Sequence, residues 1–126
     1  LDIDRQLRAG VGDTPQSLRD LSVSLERLGD AEREGGRLEA ALEAYRESLE
    51  LSRQLRASLG DTRRTLTDLV SCLRRIAVAS REAGHNQDAD AFEREVSSVS
   101  QSVEDLVQAR SGLVSPGDTA SDAEPR

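Results

Sequence analysis

Forty-eight residues into this chain, its sequence begins again. Arg53-Gln54-Leu55-Arg56-Ala57-Ser58-Leu59-Gly60-Asp61-Thr62 echoes Arg5-Gln6-Leu7-Arg8-Ala9-Gly10-Val11-Gly12-Asp13-Thr14. Beyond that block, Leu18, Asp20, Leu21, Leu25, Arg27 and Leu28 return as Leu66, Asp68, Leu69, Leu73, Arg75 and Ile76. A unit of this size that recurs is one supersecondary element unable to bury its apolar face alone. Stacking on the next copy is what completes its core.

The composition narrows what that element can be. Only Tyr45 and Phe92 are aromatic among 126 residues, so the core must be built from Leu, Val and Ala. Those residues suit closely packed helices better than a β-sandwich. Charge interrupts every apolar stretch, so nothing approaches the roughly 20 apolar residues of a membrane-spanning helix. All 17 basic residues are arginine, and the net charge is −7. That balance argues against nucleic-acid binding, which needs clustered cations to neutralise phosphates. The single cysteine, Cys72, excludes an internal disulfide and fits a reducing cytosol.

Punctuation and periodicity predict helices separated by tight turns. Leu1 to Ala9 matches the later Leu49–Ala57, so it reads as the end of a helical hairpin whose start is missing. Thr14-Pro15 supplies an N-cap and a proline at the first helical position. The spacing of Leu18, Leu21, Leu25 and Leu28 then predicts a striped helix from Pro15 to Glu34, ended by Gly35-Gly36. A second helix follows from Leu38 to Ser58, with Ala41, Leu42, Tyr45, Leu49, Ser52 and Leu55 inward. Gly60-Asp61-Thr62 restarts the pattern. Leu66, Leu69, Val70, Leu73, Ile76 and Ala77 stripe a third helix closed by Gly84. Asn86 is the expected cap of a fourth helix, which carries Ala89, Phe92, Val96, Val99, Val103, Leu106 and Val107 toward Arg110. Its apolar side is expected to turn inward as a cap on the stack. From Ser111 the composition shifts to Gly, Ser, Pro, Asp and Thr, and residues 115–126 read as a disordered tail.

Within the first hairpin, Leu25, Leu28-Gly29, Gly36, Ala41, Tyr45 and Ser48 stand at intervals of 3, 1, 7, 5, 4 and 3. This pattern resembles the tetratricopeptide repeat. There, a large residue and Leu-Gly on the first helix meet a turn glycine, then small, aromatic and small residues on the second. In the second hairpin Leu73, Ile76-Ala77, Gly84, Ala89 and Phe92 follow the same logic. Its aromatic arrives one residue early, as if a residue were deleted in Gly84–Asp88. The resemblance implies an all-α fold of antiparallel hairpins stacked as a short right-handed solenoid. Residues 1–12 would end a truncated hairpin, 13–60 and 61–112 would form two hairpins, and 113–126 the tail. The long period resembles repeats of multidomain bacterial signalling proteins. The composition, all-arginine among its basic residues and rich in Ala, Leu, Gly, Asp and Glu, looks like coding from a GC-rich bacterial genome. The chain is accordingly expected to be a cytoplasmic scaffold or sensor segment that binds a protein or peptide. Association with its own copies, through the N-terminal segment and last helix, is the alternative.

In that family the first helix of each hairpin lines a concave groove. The resemblance carries this role to Val23, Glu26, Arg27, Asp30, Arg33 and Glu34 in one unit, and to Ser71, Arg74, Arg75, Val78, Arg81 and Glu82 in the other. Arg74, Arg75 and Arg81 suit an acidic or C-terminal carboxylate segment through bidentate contacts. The same charges also suit a solvated helix face. Glu26 and Asp30 stand where chaperone-binding members need Lys and Asn, which argues against that partner.

Chemistry finds little support. His85, the one histidine, has no Cys or carboxylate at metal-ligand spacing and reads as a solvated turn residue. Cys72 reads as a packing residue. Gly10–Gly12 lacks the lysine and preceding strand of a phosphate loop. Asp88 and Asp90 fall on opposite sides of a helix. No catalytic constellation, metal site or cofactor is expected.

Overall fold

The structure, a computed structural model, describes residues 14–114. The expected half hairpin before Thr14 and the expected tail after Val114 lie outside that range. Within it the chain is all-helical, with four helices: α1 (Pro15–Glu34), α2 (Leu38–Leu59), α3 (Arg63–Glu82) and α4 (Asn86–Val114).

Local chemistry sets the boundaries. The Thr14 side chain accepts from the Ser17 amide, and the Ser17 hydroxyl returns a bond from the Thr14 amide. Thr62 and Thr65 repeat this reciprocal cap at the start of α3. These bonds satisfy amides that the first helical turn leaves orphaned. Both helices also end alike. Arg37 N–H reaches the Glu32 carbonyl at 2.8 Å and Gly36 N–H the Arg33 carbonyl at 3.0 Å. His85 and Gly84 make the same two bonds to Ser80 and Arg81. This closure needs a left-handed residue, and Gly36 supplies it at φ 81°.

The matching turns correct two expectations. Three residues connect the helices in each hairpin, and Ala41 and Ala89 are both fully buried at equivalent positions. No residue is therefore deleted between Gly84 and Asp88. Position 93, equivalent to Tyr45, is the exposed Glu93, and half-buried Phe92 packs beside it on the turn. Nor does Asn86 cap α4. It is the first helical residue, and the His85 carbonyl accepts the Ala89 amide. α4 also runs on through Ser111 and Gly112 to Val114 rather than ending near Arg110.

Each helix packs on its neighbours in sequence, α1 on α2, α2 on α3 and α3 on α4. Two apolar clusters result. Leu18, Leu21 and Leu25 of α1 meet Leu51 and Leu55 of α2. A larger cluster joins Ala41, Tyr45 and Leu49 of α2 to Leu66, Leu73 and Ile76 of α3, with Val99 of α4. α2 belongs to both, which explains why its buried residues span about half its circumference. α4 turns a single stripe inward: Phe92, Val96, Val103 and Leu106 pack on the larger cluster, while Val107 stays exposed.

Leu28 corrects a further expectation: it is 38% exposed, whereas Gly29 next to it is buried. Leu18, Leu21, Ser22, Leu25 and Gly29 make up the buried face of α1, and at 3.6 residues per turn position 28 lies about 75° off the centre of that face. Gly29 instead lets the axes of α1 and α2 approach. A Cβ built there would lie 2.4 Å from the Tyr45 ring. Tyr45 is fully buried and its hydroxyl is tied to Asp30, so the ring cannot move aside without losing that bond. Gly29→Ala is therefore expected to lower stability by about 1–3 kcal/mol, the usual range for overpacking, as read by urea denaturation.

Candidate interaction groove

A trough runs between α1 and α3, with α2 as its floor. Tyr45 floors one end, in a recess of about 480 Å³. Ser52 and Leu55 floor a constriction of about 30 Å³, and Leu55 and Leu59 the far recess of about 310 Å³. Ser71 is shared by the first two recesses, and Arg19, Leu55 and Asp68 by the last two, so the three are successive parts of one channel. From Tyr45 to Leu59 the floor extends about 21 Å at 1.5 Å per helical residue.

Of the residues assigned to a groove by sequence, Arg33, Arg74, Arg75 and Val78 meet in the large recess, together with Ser71. Val23 and Glu26 line the constriction. Asp30 lies at the side of the channel, where it receives the Tyr45 hydroxyl and faces Arg75 at 3.3 Å. Arg27 and Glu34 are exposed and line none of the three recesses. Arg81 turns the other way. Its guanidinium bonds Asp90 at 2.8 Å and Glu93 at 3.1 Å, both on α4, so it is occupied away from the channel. Arg19, Arg64 and Asp68, which line the far recess, escaped the sequence reading because they precede the positions that the repeat signature marks.

Ion pairs cross the channel. Arg19 meets Asp68 at 3.1 Å, and Arg33 grips Glu82 with two bonds of 2.8 Å. The Arg33 pairing holds the Glu82 carboxyl below its ordinary value. These groups are at least one-third exposed or close to it, so their attraction is screened and each pair orients more than it stabilises. Tyr45 contrasts with them: burial, then the bond to Asp30, pushes its hydroxyl far above the ordinary tyrosine range.

Glu26 sits half-buried at the constriction with no hydrogen bond or ion pair to another described residue. Burial raises its carboxyl above the ordinary value. Arg75 opposes the rise, Asp68 and Asp30 add to it, and Arg19 opposes it. An unfolded chain would lose this proton first, so Glu26 lowers stability as pH climbs from the ordinary carboxylate value through the raised one. Glu26→Gln is expected to melt above the native chain at pH 7, with the advantage closing below pH ~4 in thermal melts. An advantage that persists unchanged at pH 3 would remove the charge as its cause.

Cys72 is fully buried and its thiol bonds the Tyr45 carbonyl at 3.4 Å. Burial pushes the thiol up to about 12, so the thiolate that nucleophilic chemistry needs is scarce at neutral pH. His85 lies in the turn with Nε2 3.2 Å from a Glu39 carboxylate oxygen. Among the described residues no group of three or more His, Cys, Asp or Glu could hold a metal ion, and no helix is long and apolar enough to cross a membrane.

No family model, no curated protein and no solved structure matches this chain. Function must therefore be argued from the channel itself.

Proposed function

We propose that the chain is a protein-interaction segment, similar to a tetratricopeptide repeat, within a larger bacterial signalling or regulatory protein. Its work is binding, with no catalytic role and no cofactor. The observation that carries this reading is the 480 Å³ recess, walled by Arg33, Arg74, Arg75 and Val78 and open along one side of the helices. Arginine forks beside exposed valine provide both charge-assisted and apolar contact, the combination that favours recognition of polypeptide. The Gly29–Tyr45 approach supports the family resemblance, because both positions belong to the signature and depend on each other sterically.

Ser71→Trp tests the reading by filling the channel where two recesses join. Affinity capture from cells that encode the chain is expected to recover a protein partner with the native sequence and to lose it with the variant. Equal recovery by both would remove the channel as the binding surface. Sedimentation at tens of micromolar separates this reading from self-association. A monomer is expected, and a dimer undisturbed by Ser71→Trp would favour pairing through the chain's ends.

A further inference from the structure

We propose that the channel receives an extended, acidic segment of a separate protein, with two carboxylates four or five residues apart docking on Arg64 and Arg74. This rests on the interaction reading and adds the chemistry of the partner. The channel carries Arg19, Arg33, Arg64, Arg74 and Arg75 against Glu26, Asp30, Asp68 and Glu82, on a chain whose net charge is −7. Arginines thus outnumber carboxylates there by one on an otherwise acidic molecule, and charge complementarity selects an anion.

Three of those arginines are already engaged: Arg19 by Asp68, Arg33 by Glu82 and Arg75 by Asp30. Arg64 and Arg74 have neither an ion pair nor a side-chain hydrogen bond with any described residue, and both are exposed. Each offers a planar fork that matches a carboxylate. Ten residues of α3 separate them, about 15 Å along the axis. An extended peptide advances about 3.3 Å per residue, so it spans that distance in four or five residues. Val70 and Val78 flank Arg74, one turn before and one turn after it, and would take an apolar side chain next to the second acid.

Glu26 decides between kinds of anion. It stands at the constriction between the two ends, where a negative group on the ligand would meet an unpaired carboxylate. A nucleic acid carries a charge at every nucleotide and must place one there. A peptide with acids only at its ends avoids the repulsion.

Fluorescence polarisation of a labelled octapeptide tests this, with Glu at positions 2 and 6, Leu at position 7 and Ala or Ser elsewhere. Arg64→Gln and Arg74→Gln are each expected to raise Kd about tenfold, the loss of one charge-assisted contact. A peptide with its two Glu adjacent is expected to bind about tenfold more weakly, and Glu26→Gln to narrow that difference. Kd unchanged in the Arg64→Gln/Arg74→Gln double variant would overturn the proposal, as would single-stranded DNA binding as tightly as the peptide. A tenfold gain in Asp118→Asn/Asp122→Asn/Glu124→Gln would also overturn it, since the chain's own acidic end would then be the occupant. Capture of a protein that Ser71→Trp abolishes, with no binding of the octapeptide, would leave the interaction reading standing and sink its acidic chemistry.

Discussion

Tyr45→Ala is expected to lower the stability of this chain by about 3–5 kcal/mol, the range for deleting a large buried aromatic side chain. Tyr45 is fully buried and lies between both walls of the molecule. Its ring fills the space left by Gly29 on α1, while its backbone carbonyl accepts the Cys72 thiol from α3. Removing the ring empties a volume that neither neighbour can close, because Gly29 has no side chain to offer. At about 4–8 °C per kcal/mol for a chain of this size, the melting temperature should fall by well over 10 °C. Tyr45→Phe separates packing from polarity. It keeps the ring and loses only the hydrogen bond to partly exposed Asp30, so about 0.5–1.5 kcal/mol is expected. Equal losses in the two variants would mean that the hydroxyl, rather than the ring, holds the hairpin.

Leu25→Ala is the second large effect, at about 2–5 kcal/mol, and its neighbour supplies the control. Leu25 is 1% exposed at the centre of the α1–α2 cluster, whereas Leu28, three residues on, is 38% exposed. Leu28→Ala should therefore stay within about 0.5 kcal/mol, as exposed substitutions usually do. Denaturation of both variants in urea reads the rotation of α1 directly. A costly Leu28→Ala beside a harmless Leu25→Ala would turn that helix by about a sixth of its circumference.

That pair of leucines also marks how far the sequence could be read. Where caps and turns are written in the chain, boundaries were legible: Thr14-Pro15 and Gly35-Gly36 bracket α1 at Pro15–Glu34, the bounds the structure has. The inward positions of α2 and α3 followed from periodicity, and Leu42, Leu49, Leu66 and Leu73 are all buried. Leu28 was misread because a leucine stripe with alternating steps of three and four drifts around a helix that turns every 3.6 residues. The end of α4 was misread because Ser111 and Gly112 look like loop residues, yet a helix already running does not stop at weak formers without a closing bond. The channel was legible only in outline. Positions carried over from a repeat signature gathered Arg33, Arg74, Arg75 and Val78. They misplaced Arg81, whose partners Asp90 and Glu93 come from the next helix. Ion pairs between residues more than 40 apart, such as Arg19–Asp68 and Arg53–Glu95, depend on how helices cross and leave no local trace in a sequence.

The double membership of α2 has a bearing on how the molecule comes apart. Because Leu51 and Leu55 anchor one leucine seam while Tyr45 and Leu49 anchor the other, loosening α2 dissolves both together. α4 packs mainly on α3, with the Arg53–Glu95 ion pair reaching it from α2, so its far turns can exchange amide protons while the remainder stays locked. The chain should accordingly show one protected heart, centred on its second helix, and a fringe that opens long before that heart gives way.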